Sequence, residues 1–364
     1  MRSGKIDKLF LGIFILLIFV GFLIFSSASL GLLAREGETF SNVAIKQFFA
    51  AIVLGSLVLF ITMKIPFSFW KKNAFLLLCG SIFLTILVFV PHVGWSHGGA
   101  KRWVALGPIS FQPSEFLKIG MLIYFAAWLA KAKDKISQYS HGLIPLCTLL
   151  GISAVLMLLE PDTGTFLVIF FTLIGMYLVA RGPWRDILIL AVICVLGVGV
   201  LFFYRPYIKE RILTFTDPSR DPQGAGYQIQ QSLIAIGSGG VFGRGFGQSV
   251  QKFSYLPEPI GDSIFAVAGE EFGIAGTLTL IILYLLFAFR GLRIASQSKD
   301  SFGGLLACGI VILIISESFI NIASMLGLLP LTGIPLIFVS HGGTAALLAM
   351  AEVGIILNIS KQTI

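Results

Sequence analysis

The stretch LFLGIFILLIFVGFLIFSSASLGLLA, residues 9–34, contains no charge between Lys8 and Arg35. A helix needs about 20 apolar residues to cross the hydrocarbon of a bilayer. The apolar region of a secretory signal peptide reaches only about 7–15 residues. The run is therefore read as a retained membrane-spanning helix, with Ser26-Ser27-Ala28-Ser29 inside it rather than at a cleavage site.

The same pattern recurs outward from this run. Further apolar runs cover roughly 47–63, 73–90, 112–130, 143–159, 163–180, 186–204, 263–289, 302–328 and 331–359. Pro161 and Gly164 divide a run too long for one crossing, so Glu160-Pro161-Asp162-Thr163-Gly164 reads as a tight hairpin between two spans. The fold class is an all-α polytopic membrane protein of about ten transmembrane helices, a single domain over residues 1–364. Composition excludes an ordinary soluble fold. Hydrophobic residues make up 56% of the chain and charged residues 12%, where soluble proteins carry about 25% charged.

Charge placement gives the topology. With the N-terminus in the cytoplasm, the inner loops hold Arg2, Lys5, Lys8, Lys64, Lys71, Lys72, Lys131, Lys133, Lys135, Arg181, Arg185, Arg290, Arg293, Lys299 and Lys361. The short outer loops hold only Arg35, Lys46, Lys101 and Arg102. This asymmetry follows the positive-inside rule and puts both termini in the cytoplasm. The net charge of +8 is a topology signal in such a chain, and no nucleic-acid partner is expected. Cys79, Cys147, Cys194 and Cys308 each lie in an apolar segment, without zinc-ligand spacing. Neither a disulfide nor a metal is inferred from them, and metal ligands stay unassigned. One outer segment, residues 205–262 between the seventh and eighth spans, is long enough to be functional. Ile229, Leu233, Ile234 and Ile236 suggest a short amphipathic helix within it.

Polar residues gather where a membrane makes them costly. In GGAKRWVALGPISFQPSEFLK (98–118), Lys101 and Arg102 sit just outside the bilayer. Glu115 and Lys118, three apart on one helix face, fall inside the fourth span. Such a pair either orients the helix or lines a cavity. Glu160 and Asp162 sit on the hairpin, where ordinary turn chemistry would also place them. Gly237, Gly239, Gly240, Gly243, Gly245 and Gly247 lack the spacing and setting of a dinucleotide fingerprint and point to close backbone packing. Asp262 stands where the long loop enters the eighth span, as a helix cap or a base. Glu270, Glu271 and Glu317 add buried carboxyls. In LTGIPLIFVSHGGT (331–344), Pro335 and Gly342-Gly343 break the last span, as happens where backbone lines a cavity.

Together, KRWVALGPISFQPSEFLK, EPDTGT, DPQGAGYQIQQSLIAIGSGGVFGRGFGQSVQKFSYLPEP, DSIFAVAGEEFG and GLLPLTGIPLIFVSHGG resemble the SEDS family (shape, elongation, division, sporulation). The likeness runs in order from about the third span to the C-terminus. DPQGAGYQ and Gln251-Lys252 look more like FtsW, the division member, than RodA, the elongation member. The resemblance implies a ten-helix fold and a peptidoglycan glycosyltransferase of the bacterial inner membrane, with its active face periplasmic. The implied substrate is lipid II, as donor and acceptor. The family's essential aspartate falls on Asp262 as candidate catalytic base. Lys101, Arg102, Gln112, Glu115, Lys118, Asp162 and Ser340 are the candidate substrate-binding residues. The chain departs from the family at Ile260, Gly261 and Ser263 around the aspartate, and at Glu317 and His341.

The sequence demands no cofactor. The resemblance allows a divalent cation, Mg²⁺ or Mn²⁺, to share the pyrophosphate. It also implies a class b penicillin-binding protein transpeptidase as partner, among other membrane proteins of the divisome or elongasome. Two other readings stay open, a lipid II flippase and a non-catalytic division scaffold. Broken helices and intramembrane charges suit the first, and small-residue helix faces suit the second.

Overall fold

The computed structural model describes residues 5–34, 52–97, 100–106 and 109–362. The expectations on Arg2, Arg35, Lys46, residues 47–51 and Gly98-Gly99 lie outside the described residues.

Ten apolar helices among the described residues form the bundle. They are α1 (Lys8–Ser29), α2 (Gly55–Lys64), α4 (Ala74–Ile86), α5 (Pro113–Ala132), α6 (Leu143–Leu159), α7 (Thr163–Val179), α8 (Trp184–Tyr204), α12 (Ile264–Ser296), α13 (Ser301–Met325) and α14 (Gly343–Ser360). Four shorter helices join them: α3 (Phe67–Lys72), α9 (Pro206–Thr216), α10 (Ala225–Ser238) and α11 (Gln251–Ser254).

Three features refine the sequence reading. The chain is not purely α-helical. Residues 94–111 carry an antiparallel sheet of β1 (Gly94–His97), β2 (Ala100–Leu106) and β3 (Ile109–Phe111). Val104 pairs with both Gly94 and Phe111, so the segment bearing Lys101 and Arg102 satisfies its backbone within the sheet. The last predicted span shortens to α14, because residues 331–342 run irregularly around Pro335 and Gly342. The long segment 205–262 is built of α9, α10 and α11. In α10, Ile229, Ser232 and Ala235 face inward at a spacing of three, while Leu233 and Ile234 point out.

Helix α13 is the axis of the bundle. It packs along α5, α7, α12 and α14 and is buried along most of its length. Buried Phe10, Phe125, Tyr177 and Phe302 mark one half of the core, and Phe25, Leu256, Phe265 and Tyr284 the other. Outward surfaces remain apolar, with Leu188, Val195 and Phe203 of α8 among the most exposed side chains. In water such surface would drive aggregation, whereas lipid tails solvate it. The chain is thus a multi-pass membrane protein.

Residues near both ends of the described chain meet at one end of the bundle. The backbone N–H of Asp7 donates to Ser360 Oγ at 3.2 Å, and Arg290 Nη2 lies 2.7 Å from Asp7 Oδ2. Asp7 also caps α1 by accepting from Phe10 N at 2.9 Å. Burial pushes its carboxyl up, but Arg290 and the Phe10 amide outweigh that and hold it below the usual aspartate value. The polar motifs of the sequence lie at the opposite end.

Candidate active site

Asp262 lies in the turn before α12, and its backbone is held at three successive carbonyls. Ile260 O accepts from His341 N at 2.7 Å. Gly261 O accepts from Ser340 Oγ at 2.7 Å. Asp262 O accepts from Asn321 Nδ2 at 2.8 Å. The irregular segment 331–342 therefore works as a brace. Ser340 in turn accepts from Leu336 N at 2.8 Å, and Asn321 also holds Ile334 O at 2.9 Å. A continuous helix over 331–342 would have used those polar groups internally.

The carboxyl of Asp262 is half-buried. Its Oδ1 is shut from solvent without a hydrogen-bond partner. Burial pushes the group up to about 6, against the lowering effect of the Gln228 side chain and with help from Glu258. Gln228 of α10 also donates to Ser263 Oγ at 2.9 Å.

Two arginines converge on this end. Arg102 of β2 donates through Nε to Glu160 O at 3.3 Å and through Nη2 to Pro161 O. Arg211 of α9 donates to Thr163 Oγ1 at 2.7 Å and sits 4.5 Å over the Tyr207 ring. Burial pulls the Arg211 guanidinium down from its usual value, and it feels the charges of Arg102, Asp162 and Asp262. Arg211 falls in the long outer segment 205–262 and is not among the sequence candidates. Only the fold of α9 over the hairpin reveals it, since nothing in its local pattern pairs it with Thr163.

Asp162 caps α7. Its Oδ1 accepts from Thr165 N at 3.1 Å and its Oδ2 from Thr165 Oγ1 at 2.9 Å. Gln112 Nε2 reaches Ser114 Oγ at 3.0 Å and Asp162 Oδ2 at 3.5 Å. Glu160 is fully buried, and neither carboxylate oxygen has a partner. Burial, then the charge of Asp162, pushes it up to about 8.

Lys118 pairs with Glu115, as the spacing suggests, and with Glu317 as well. It is buried, with Nζ 2.9 Å from Glu115 Oε2 and 2.5 Å from Glu317 Oε2. Two carboxylates already pair with it, whereas Arg102 and Arg211 lie at the hairpin. Lys101 is exposed on β2, and Ser340 is spent on bracing Gly261.

The glycine-rich stretch lies along a break in α12. Gly273 has φ 64°, and a Cβ there would meet Gly243 N at 2.5 Å. The opened helix backbone is satisfied from the loop: Arg244 N donates to Glu270 O at 3.0 Å, and Ile274 N to Gly240 O at 3.0 Å. The two glutamates beside the break grip the same loop. Glu270 accepts from Ser249 Oγ at 2.6 Å and from Val250 N at 3.1 Å. Glu271 Oε1 lies 2.6 Å from Lys252 Nζ, and its Oε2 accepts from Ser27 Oγ at 2.5 Å.

The arrangement offers the Asp262 carboxylate with an unpartnered oxygen, two guanidinium groups and a braced backbone at one end of an apolar bundle. It suits proton abstraction beside an anionic leaving group. The FtsW/RodA/SpoVE family model, described as cell cycle protein, matches residues 7–364. The probable peptidoglycan glycosyltransferase FtsW of Geobacter sp. strain M18 is 39% identical over 310 residues, covering 85% of this chain and 84% of that protein. Stage V sporulation protein E of Bacillus subtilis strain 168 is 35% identical, over 98% of this chain and 97% of that protein. Among solved structures, a chain from a peptidoglycan synthase complex that coordinates polymerization and crosslinking aligns with TM-score 0.83 and 27% identity, covering 98% of both chains. Rod shape determining protein RodA of Thermus thermophilus, in a mutant form, aligns with TM-score 0.72 and 25% identity over 98% of this chain and 97% of that one.

Proposed function

The chain belongs to the FtsW/RodA/SpoVE family, and from that premise we propose that it is a peptidoglycan glycosyltransferase polymerising lipid II, with Asp262 as general base. The observation carrying the catalytic assignment is the unpartnered Oδ1 of Asp262 on a backbone fixed at three carbonyls.

The step is a displacement at the anomeric carbon of the donor MurNAc. Asp262 takes the proton of the acceptor GlcNAc 4-hydroxyl as the oxygen attacks. The bond to undecaprenyl pyrophosphate breaks, its electrons leave with the pyrophosphate, and the linkage inverts from α to β. A carboxyl near 6 is ionised at neutral pH yet more basic than an ordinary aspartate, which favours this role. Arg211 and Arg102 would meet the developing pyrophosphate charge, as fixed cations in a half-buried setting. Lys118 with Glu115 and Glu317 would fix α5 against α13 beneath the site.

Among the described residues no three His, Cys, Asp or Glu side chains form a metal cage. A divalent cation carried by the pyrophosphate needs only one or two protein carboxylates. Asp162 and Glu160 are the donors that would meet it, Glu160 through its unpartnered oxygens. Such an ion would supply positive charge to the phosphates.

The site end would face the periplasm of a bacterial inner membrane, because the lysines and arginines of the loops concentrate at the other end with Asp7 and Ser360. A class b penicillin-binding protein transpeptidase is the proposed partner, supported by the likeness to a synthase complex that joins polymerization to crosslinking.

The test is lipid II polymerisation by the purified chain in detergent, with and without such a transpeptidase. Glycan polymer from the wild type and none from well-folded Asp262→Asn is expected. Polymer cannot arise from flipping in detergent, so its formation also excludes a pure flippase. Undiminished polymer from Asp262→Asn would refute the base.

A further inference from the structure

At the end of the bundle opposite Asp262, the last turns of α5 and α7 and the first turns of α13 enclose an open cavity of about 480 Å³. Its walls divide by chemistry. Leu129, Val179 and Leu305 form an apolar side, and Lys133 and Arg181 supply two cations, with Asp134 the single acidic side chain in the lining. Both cations are exposed to solvent rather than spent within the bundle.

The backbone at both cations is unusual. Arg181 has φ 66° and Lys133 has φ 37°. Around Arg181 the hydrogen bonds are those of a Schellman helix end: Gly182 N donates to Tyr177 O at 2.9 Å. The left-handed position of that motif is ordinarily glycine, because a Cβ is strained there. Here glycine follows one residue later, and an arginine occupies the strained place. At the end of α5 Lys133 also has a positive φ, with ψ −111° rather than the Schellman geometry, and its N–H closes onto Leu129 O. Strain of this kind at two cations bordering one cavity points to a use for the side chains that a glycine cannot serve.

We infer that this cavity binds an anionic phospholipid, its phosphate held between Lys133 and Arg181 and its upper acyl chain lying on Leu129, Val179 and Leu305. The divided lining matches a molecule with one charged and one apolar part. The cavity lies where helix ends meet the headgroup region, so a bilayer lipid reaches it without entering the bundle. Topology alone requires cations at this end, but it does not require them in left-handed backbone around one cavity.

The experiment compares the wild type with Lys133→Gly/Arg181→Gly. Full-length protein is reconstituted in nanodiscs of phosphatidylcholine doped with phosphatidylglycerol. Retained lipid is read by native mass spectrometry and competition by titration. The wild type should retain phosphatidylglycerol over phosphatidylcholine. The double glycine variant should bind it about tenfold or more weakly, while melting no lower than wild type, since glycine relieves the strain. The charge-retaining Lys133→Arg/Arg181→Lys variant should keep the lipid. Equal retention by wild type and the glycine variant would overturn the inference. So would equal retention of phosphatidylcholine, or displacement by soluble glycerol 3-phosphate at the concentration at which the lipid binds, which would reduce the site to a phosphate pocket.

Discussion

The ammonium of Lys252 lies 2.6 Å from Glu271 Oε1 with both side chains completely buried, and Ser27 Oγ from α1 completes the contact at 3.2 Å from the same ammonium. This pair ties three distant segments together: the outer end of α1, the loop that leads to Asp262, and the break in α12. Its neighbour on the same side of the break, Glu270, holds the loop amides and Arg244.

Removing one charge of the Lys252–Glu271 pair should leave the other buried and uncompensated, a loss of about 3–5 kcal/mol. Lys252→Met and Glu271→Gln should each lower the thermal midpoint strongly in detergent. Lys252→Met/Glu271→Leu, which removes both charges, should recover much of the loss. A double-mutant cycle measures this, and strictly additive losses would show that the pair does not act as a unit.

Asp262 should set the acidic limb of the activity profile. Its carboxyl is pushed up to about 6 mainly by burial. Below that value the group is protonated and cannot accept the acceptor's proton, so kcat/KM should rise tenfold per pH unit up to about 6 and level off above it. An acidic limb near 4 would assign the base elsewhere.

The same shift has a consequence for stability. A carboxyl raised in the folded state favours folding below its unfolded value, and that contribution disappears as pH climbs through about 6. At pH 7–8 the wild type therefore carries an ionised, partly desolvated group. Asp262→Asn should melt higher than wild type there, with the difference vanishing below about pH 4. Thermal melts across pH give the answer, and they separate loss of chemistry from loss of fold.

Arg211 should matter more than its position in a loop suggests. Arg211→Ala should lower kcat/KM by about 10²–10³-fold if it meets the leaving pyrophosphate. Arg211→Lys should not restore it, because a lysine cannot reproduce the planar contact over Tyr207 and the bond to Thr163 together. Steady-state kinetics with lipid II would decide; an unchanged kcat/KM in Arg211→Ala would remove the residue from the site.

Ser340→Ala deletes the two hydrogen bonds that join Leu336 N and Gly261 O. A cost of about 1–3 kcal/mol follows from two bonds of ordinary strength. The turn bearing Asp262 loosens, so kcat should fall while KM changes little. A change in KM alone would return Ser340 to direct contact with substrate.

The membrane class, the spans and the hairpin at Pro161 were legible in the sequence, because apolar run length against bilayer thickness is a one-dimensional quantity. The resemblance of the surrounding motifs nominated Asp262, and helical spacing paired Glu115 with Lys118. What the residues do to each other across the chain was not legible. Lys118 was paired on paper with Glu115 alone and is also clasped by Glu317, which lies on a helix far along the chain. Arg211 looked like loop charge until α9 brought it over Thr163. The irregular run 331–342 read as a broken span, and its purpose, bracing residues 260–262, needs contacts across about eighty positions. Periodicity and composition report the solvent each segment prefers. The pairing of buried charges and the satisfaction of an opened backbone depend on which segments meet, and only the packed bundle decides that.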